Sequence, residues 1–372
     1  MHILDSLNRG GAEALELDVC RNAAACGLDL VFVATGGGEL ESEFASSGVE
    51  FVRLQREAPF DLNLALRLRA LIEGRGLEVV HCHQGVEALH AYAATRGDEV
   101  RKVLSFHLCK ADAKNRLALR FLAPRMDANV AVSRDLLGCL EREGGFKTGA
   151  NFSVVYNGVD AARLRPRGRT LRAELGVGDA ELLLGMVGNF YPDARKDQLT
   201  VCRALPRLFE RVPGARFVFA GGHSTEDPRP FEECVAYCRE RRIADRVHFI
   251  GRRTDVADML ASLDLFVFST RFDSFGIAAV EAMMLGVPSV VSDTGALLEV
   301  SGAGRYAATF RAGDAADLAR VLGELALNPE ARARLGRQGR EWARAEFGIE
   351  AHIANLRRLY ESLAARAPRA RG

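Results

Sequence analysis

The 372-residue sequence has no apolar run approaching about 18 residues, and its start does not resemble a secretory leader. We therefore expect a cytoplasmic protein. With 50 basic and 49 acidic residues its net charge is only +1, which gives no general attraction to nucleic acid. The eight cysteines are scattered without the spacing of a metal site, so we expect reduced thiols and no bound metal. The glycine fingerprint G-x-G-x-x-G is also missing, which argues against a dehydrogenase.

What the sequence does have is a regular alternation of apolar strands and amphipathic helices. We predict strands at 28–34, 49–54, 78–82, 100–106, 128–132, 152–156, 182–187, 216–220, 247–250, 265–268 and 289–292. Predicted helices lie near 12–26, 61–75, 84–95, 112–123, 133–143, 197–211, 230–241, 254–262, 276–285 and 315–326. This alternation is typical of an α/β fold with parallel sheets covered by helices.

The chain is too long for one ordinary core and divides at a turn, Asn157-Gly158, that precedes an arginine- and proline-containing stretch. We expect one Rossmann-like domain at 1–160 and a second at 161–345. The segment 346–372 should form a last helix over 348–365 and a frayed basic tail. Sheets of this kind bind ligands at the carboxyl ends of their strands, so we expect the ligand in a cleft there.

The most informative stretch is RFDSFGIAAVEAMMLGVPSVVSD, residues 271–293. It predicts a loop, a short helix and a buried strand. Glu281 lies inside the apolar helix and Asp273 just ahead of it. A carboxylate in apolar surroundings needs a hydrogen-bonding partner, which ligand hydroxyls can supply, and the free N–H groups of a helix start attract an anion. This combination favours a ligand that is part polyol and part phosphate, such as a nucleotide sugar. The alternative is a helix cap and a Glu281 paired with an arginine.

This stretch resembles the donor-site signature of the retaining glycosyltransferases of family 4, which have the two-domain GT-B fold. Their two acids have the spacing of Asp273 and Glu281, with Phe275-Gly276 after the first. Here that first acid is aspartate in place of the family's glutamate. The segment VVYNGVD, 154–160, and the last helix resemble further family features. The resemblance implies that Glu281 holds the ribose, Asp273 the sugar hydroxyls, and backbone from Phe275 to Ile277, including Gly276, the diphosphate.

The resemblance also suggests residues outside this stretch. Lys196, which follows Arg195, matches the family's phosphate-binding lysine, while Asn189 stands where the family has arginine; we conjecture that Arg195 replaces that charge. In the family, a turn like Gly10-Gly11 lies over the donor phosphates, and a histidine in the position of His107 lies beside the donor sugar. Glu299 corresponds to the family's acid in the "TGALLE" loop. The structural alternatives are a turn needing positive φ for Gly10-Gly11, a solvated loop charge for Lys196 and Arg195, and a satisfied strand-end histidine for His107. His83 and Ser133-Arg134 are weaker candidates, since Ser133 is also a good helix cap.

Two further segments carry expectations. Only Met1 to Leu7 precede Asn8-Arg9-Gly10-Gly11, so the first strand is short, and we hypothesise a misplaced start codon. Between 110 and 125, lysine and arginine alternate with leucine and phenylalanine. Such a basic amphipathic segment could rest on anionic lipid at the inner face of the cell membrane, the alternative being a solvated helix.

Taken together, these features predict a retaining, metal-independent glycosyltransferase. It would transfer a hexose-type sugar from a UDP- or GDP-sugar, without any cofactor, to a glycan or lipid-linked acceptor in cell-surface polysaccharide or lipopolysaccharide assembly. Two alternatives remain open: a sugar-nucleotide epimerase of the same fold, and a non-catalytic protein that binds nucleotide sugars. The first would convert its donor without an acceptor, and the second would never release nucleoside diphosphate.

Overall fold

The computed structural model describes residues 1–109, 113–168, 171–193 and 195–365, with the side chains of 113 and 114 excepted. The basic tail and the first residues of the 110–125 segment, including Lys110, therefore lie outside the described residues. The chain forms two compact units. The first contains Met1–Val159 and the C-terminal helix from Ile349, and the second is Asp160–Gly348.

The first unit is built on a parallel sheet of seven strands in the order β3-β2-β1-β4-β5-β6-β7. These strands are β1 (His2–Leu4), β2 (Val31–Ala34), β3 (Glu50–Arg53), β4 (Val79–Cys82), β5 (Arg101–Phe106), β6 (Ala128–Ala131) and β7 (Phe152–Val154). The strand order reverses between β1 and β4, the point at which such sheets open a ligand crevice.

The second unit repeats the design with six parallel strands in the order β10-β9-β8-β11-β12-β13. They are β8 (Leu182–Val187), β9 (Ala215–Ala220), β10 (Val247–Phe249), β11 (Leu265–Phe268), β12 (Ser289–Ser292) and β13 (Ala308–Phe310). Here the order reverses between β8 and β11. All four residues of β11 and of β12 are buried, as expected of central strands covered on both faces.

The helices cover these sheets. In chain order they are α1 (Gly11–Asn22), α2 (Glu41–Ala45), α3 (Leu62–Arg75), α4 (Gly85–Ala94), α5 (Ala113–Leu122), α6 (Arg134–Arg142), α7 (Leu171–Glu174), α8 (Gln198–Arg211), α9 (Arg229–Glu240), α10 (Val256–Ala261), α11 (Ile277–Met284), α12 (Gly295–Val300), α13 (Ala315–Ala326), α14 (Pro329–Phe347) and α15 (Ile349–Ala364). A 3₁₀ turn follows α5 at Ala123–Arg125. None of the helices in the described ranges has both the length and the hydropathy that a membrane span requires.

The last helix, α15, belongs to the first unit. Its residues Ile349 and Ile353 join a buried cluster with Leu4 and Phe32, and Leu356 joins a second cluster. Since a fully buried Ile contributes about 1.5–3 kcal/mol, this packing fixes α15 firmly against the first sheet.

The structure confirms the predicted α/β architecture of two parallel sheets but departs from three expectations. The "TGALLE" loop is mostly helical, because Thr294 begins α12 and the following Gly295–Val300 continue it. Helix α14 was not predicted, because it is arginine-rich and buries glycines at 336 and 339 where an amphipathic helix would bury large apolar residues. Strand β13 was not predicted either, because it has only three residues. The expectation that all cysteines are reduced is wrong, since Cys109 and Cys139 form a disulfide across 30 residues of sequence.

Candidate functional site

The start of α11 is shaped by one glycine. Gly276 lies immediately before the helix with φ of +94°, a left-handed conformation that side-chain-bearing residues rarely adopt. A Cβ there would lie 2.5 Å from Leu297 Cδ2. Phe275 is buried and packs edge-to-face on Phe347, and this packing anchors the backbone of the turn. The first N–H groups of α11 have no acceptor inside the helix, as at any helix start, and no side chain caps them at Gly276.

Lys196 and Asp273 form an ion pair across the carboxyl ends of neighbouring strands β8 and β11. The ammonium group also lies 4.1 Å from the centroid of the Phe268 ring. The other carboxylate oxygen of Asp273 accepts a hydrogen bond from Phe275 N–H at 3.0 Å. The predicted cation and the first predicted acid are thus neighbours at the start of α11.

Backbone hydrogen bonds connect the loop that carries Lys196 to the end of β11. Asp197 N–H donates to the Ser269 carbonyl at 2.9 Å, and its side chain caps α8 by accepting from Thr200 N–H. Arg271 adds an ion pair to Asp197 at 3.0 Å. These contacts fix the position of Lys196, which is only 16% exposed at its side chain.

Arg195 points differently from its neighbour. Its guanidinium forms an ion pair with Asp193 at 2.6 Å and lies 4.7 Å from the centroid of the Tyr191 ring. Asn189, which stands at the position of the family's arginine, accepts from Gly222 N–H through its side-chain oxygen at 2.9 Å. Both side chains therefore already have structural partners within the second unit.

Glu281, the second acid, is 8% exposed and has a protein partner. The Arg163 guanidinium donates to its Oε1 at 2.7 Å. The arginine-paired alternative therefore describes this carboxylate correctly, and a ligand is not needed to supply its hydrogen-bonding partner. Oε2 accepts no hydrogen bond within the described part of the chain, so one oxygen remains available. Glu299, the other predicted acid, lies half-buried in α12.

In the first unit, Gly10 and Gly11 are exposed at the start of α1, directly after β1. The positive-φ alternative is wrong for Gly10, which has an extended φ of −143°. A side chain at Gly10 would instead collide with the carboxylate of Glu13, which folds back over it. Because this carboxylate is the flexible end of a side chain and can move aside, the contact does not by itself require glycine at this position.

His107 and His83 follow strands β5 and β4, which are neighbours in the sheet. His107 Nε2 lies 3.1 Å from His83 Nδ1. Burial lowers the pKa of His107 to about 4, while the charge of Glu16 opposes that shift and His352 adds to it. His107 is therefore neutral near pH 7. Ser133 does cap α6, accepting from Leu136 N–H at 3.0 Å, which accounts for that residue structurally.

Several contributors to the site were not predicted from the sequence. They are Arg163 and Asp193 beside the predicted charges, and Glu16, His2 and Tyr360 behind His83. Asp193 lies only two residues before Arg195, so this pair is local in sequence. Arg163 and Tyr360 lie far in sequence from their partners Glu281 and His2, so no spacing pattern could have identified those contacts.

Comparison with known proteins places this geometry in a family. Residues 9–163 match the model described as Glycosyltransferase Family 4, and residues 181–328 match the model described as glycosyl transferases group 1. The chain belongs to glycosyltransferase family 4. The predicted GT-B fold and the enzyme class, glycosyltransferase, are thereby confirmed.

Two curated relatives illustrate the range of this family. An N-acetyl-alpha-D-glucosaminyl L-malate synthase of Bacillus anthracis is 26% identical over 311 residues, which cover 81% of this chain and 79% of that protein. The lipopolysaccharide core biosynthesis mannosyltransferase LpsB of Rhizobium meliloti (strain 1021) is 29% identical over 313 residues, with 80% and 85% covered. These matches give no support to the epimerase alternative.

Solved structures support the fold. Anabaena Alr3699/HepE in complex with UDP and glucose has a TM-score of 0.81 at 18% identity, covering 98% of this chain and 99% of that one. WaaG, a glycosyltransferase involved in lipopolysaccharide biosynthesis, has a TM-score of 0.69 at 14% identity, with 98% and 99% covered.

Proposed function

We propose that this glycosyltransferase is a retaining, metal-independent enzyme that transfers a hexose-type sugar from a UDP- or GDP-sugar to a glycan or lipid-linked acceptor. The observation that carries the proposal is the meeting of Lys196, Asp273 and the start of α11 at the reversal point of the second sheet. A cation, a carboxylate and a helix start that can bind an anion therefore lie side by side at the carboxyl ends of β8 and β11.

Lys196 supplies the charge that a departing nucleoside diphosphate requires. As the bond to the sugar breaks, negative charge grows on the leaving phosphate, and a fixed ammonium stabilises it by roughly 3–4 kcal/mol. Its pairing with Asp273 holds the ammonium in place before the donor arrives. Asp273 then contacts the sugar hydroxyls, and the N–H groups of Gly276 and Ile277 contact the phosphates.

Glu281 binds the ribose through its second oxygen. Arg163 engages Oε1 and so keeps the carboxylate charged and oriented, while Oε2 accepts from the ribose hydroxyls. Hydrogen bonds to a charged acceptor are the stronger kind, about 1.5–3 kcal/mol each. Arg163 is therefore a positioning residue for Glu281.

The reaction proceeds on one face of the sugar, in this proposal, through an oxocarbenium-like state in which the leaving phosphate oxygen takes the proton of the acceptor hydroxyl. His107 lies beside the donor sugar, and the Gly10-Gly11 turn contacts the phosphates. The relatives' names differ, one being an N-acetyl-alpha-D-glucosaminyl L-malate synthase and the other a lipopolysaccharide core biosynthesis mannosyltransferase, and the second supports the glycan or lipid-linked acceptor class that we propose.

Contact with a membrane surface fits a lipid-linked acceptor. Within the described part of the basic segment, Leu117 is 74% exposed and Phe121 44% exposed, with the Arg125 guanidinium 4.0 Å from the Phe121 ring centroid. Exposed apolar side chains beside arginines are typical of a surface that rests on anionic lipid. We propose that α5 makes this contact.

The test is thermal unfolding with millimolar UDP, GDP, ADP and CMP, followed by donor turnover. A ligand present at a hundred times its Kd stabilises by about 2.7 kcal/mol. We expect UDP or GDP to stabilise the wild type, and Lys196→Ala to lose most of that shift and roughly 10²–10³ in kcat. A loss below about fivefold contradicts the role of Lys196.

Arg195→Ala is the matched control, because it removes the adjacent cation from the same loop. Its guanidinium is engaged by Asp193, so we expect a far smaller loss than for Lys196→Ala. Equal losses would support the conjecture that Arg195 replaces the missing family arginine. If no nucleoside diphosphate stabilises the protein and no donor is consumed, the proposed donor class is wrong.

A further inference from the structure

The first unit contains a continuous chain of buried polar contacts behind His107. Its members come from five elements: His2 on β1, Glu16 on α1, His81 and His83 at the end of β4, Ser105 and His107 at the end of β5, and Tyr360 on α15. Glu16 is fully buried, and His2, His81 and His83 are at most 5% exposed. Polar groups buried so deeply must satisfy one another.

The branch toward His107 starts at the Glu16 carboxylate. His83 Nε2 lies 3.2 Å from Glu16 Oε1, a charge contact without hydrogen-bond geometry, and neither atom has a hydrogen-bond partner in the described ranges. A ring nitrogen that faces a carboxylate oxygen must carry a proton, because its lone pair would be repelled. In a neutral imidazole the other nitrogen, Nδ1, is then an acceptor. His83 Nδ1 faces His107 Nε2 at 3.1 Å, so Nε2 of His107 must carry the proton.

The other branch leads to Ser105 and is consistent with the same charge. His2 Nδ1 donates to Glu16 Oε2 at 2.7 Å, so His2 Nε2 accepts from the Tyr360 hydroxyl at 2.8 Å. The Tyr360 oxygen in turn accepts from His81 Nδ1 at 2.6 Å. His81 Nε2 then accepts from the Ser105 hydroxyl at 2.7 Å.

One negative charge, on Glu16, and four neutral imidazoles therefore account for every contact in this buried polar network. His2, His81 and His83 also lie close enough together to share a metal ion, yet all six of their ring nitrogens already face a polar partner. Burial lowers the pKa of His2, His81 and His83 well below the usual range, which agrees with neutral rings. It also raises the pKa of Tyr360, which keeps its proton.

We propose that Glu16 is a positioning residue that, through His83, keeps the proton of His107 on Nε2 and leaves Nδ1 as a hydrogen-bond acceptor. Nδ1 of His107 has no hydrogen-bond partner among the described residues, and the residue is partly exposed. Nδ1 is therefore available to a ligand hydroxyl. That this ligand is the donor sugar rests on the proposed function; the proton arrangement does not.

The first test needs no variant. Long-range ¹H–¹⁵N correlation on ¹⁵N-histidine-labelled protein near neutral pH distinguishes protonated from unprotonated ring nitrogens, with assignment by single His→Gln variants. We expect the proton on Nε2 in His83 and His107 and on Nδ1 in His2 and His81. A proton on Nδ1 of His107, an imidazolium, or added Zn²⁺ that binds stoichiometrically and shifts His2, His81 and His83 would overturn the proposal.

The second test is Glu16→Gln, which removes the charge and keeps the shape. The amide oxygen should retain the shorter hydrogen bond, from His2, so the amide N–H₂ turns toward His83. His83 Nε2 must then accept, its proton moves to Nδ1, and the proton of His107 moves to its own Nδ1. A His107 proton that stays on Nε2 in this variant would overturn the proposal.

Tyr360→Phe is the matched control, because it disrupts the other branch at equal depth and leaves the contacts of Glu16, His83 and His107 in place. The tautomer of His107 should be unchanged in it. We expect the kcat of Glu16→Gln to fall roughly tenfold, which corresponds to the loss of about one hydrogen bond in the transition state. The thermal stabilisation of the protein by nucleoside diphosphate should be unchanged. If the tautomer switches and kcat does not fall, Glu16 still positions His107, and only the proposed place of His107 beside the sugar is wrong.

Discussion

Replacing Glu87 with glutamine should stabilise the first unit at neutral pH. Glu87 lies on α4 with no exposed surface, and neither carboxylate oxygen has a hydrogen-bond partner among the described residues. Burial raises its pKa to about 8. The nearby backbone N–H groups of Glu87 and Asp5, which lack hydrogen-bond geometry to the carboxylate, and the charge of Arg56 oppose that shift, while the charge of Asp5 adds to it. The folded protein therefore retains a proton that the unfolded chain releases.

The magnitude follows from this difference in pKa. An ordinary glutamate releases its proton near 4.5, so between 4.5 and about 8 the unfolded state binds fewer protons than the folded state. Stability then falls by about 1.4 kcal/mol per pH unit as the pH rises. At about pH 7.5 the accumulated loss is about 4 kcal/mol. Glutamine has the shape of the protonated acid and cannot ionise, so Glu87→Gln should recover this amount there and almost nothing at about pH 4.5.

The assay is urea denaturation at both pH values, read by hydrogen exchange in peptides of the first unit. The matched control is Glu78→Gln, which removes an exposed carboxylate from the residue before β4 and should change stability by less than about 0.5 kcal/mol at either pH. If Glu87→Gln stabilises equally at the two pH values, or not at all, the carboxylate has a partner or is hydrated, and the argument from burial fails.

Two shorter predictions concern the cysteines and α5. In denaturant without reductant, a thiol reagent should titrate only the six free cysteines, because Cys109 and Cys139 are paired. After reduction it should titrate all eight. Eight reactive thiols before reduction would contradict the disulfide. Leu117→Ser combined with Phe121→Ser should weaken binding to anionic vesicles at least roughly tenfold, since each buried apolar side chain contributes about 1.5–3 kcal/mol. Leu327→Ser, at an exposed leucine of the second unit, is the control, and equal vesicle binding by the double variant and this control would refute the proposed contact.

The sequence predicted the fold well because its sheets are parallel. Strands such as Leu265–Phe268, between Asp264 and Ser269, are buried on both faces and therefore appear as continuous apolar runs bounded by polar residues. The prediction failed where a helix lacks an apolar stripe, as in α14, or where a strand is very short, as in β13. These elements form because tertiary packing stabilises them, and local pattern carries little trace of that packing.

The candidate site divides in the same way. The turn at Gly276, the following helix and the two acids are local features, and a single stretch of sequence predicted them. The partners of those acids are not local: Lys196 lies 77 residues before Asp273, and Arg163 lies 118 residues before Glu281. Which arginine of an arginine-rich chain meets which carboxylate depends on how loops from separate strands converge, so only the structure identifies the pairs.

These pairs also change how ligand binding should be understood. Both acids already have cationic partners, so a ligand does not fill an uncompensated charge; it must share or exchange an existing contact. A diphosphate can do this at Lys196, because the ammonium has three donors and can retain Asp273 while it accepts a second anion. A neutral sugar alone offers no such compensation and would have to compete with the ion pair. The proposed site should therefore bind the nucleoside diphosphate first. The sugar hydroxyls would then contact Asp273 after a phosphate has bound to the Lys196 ammonium.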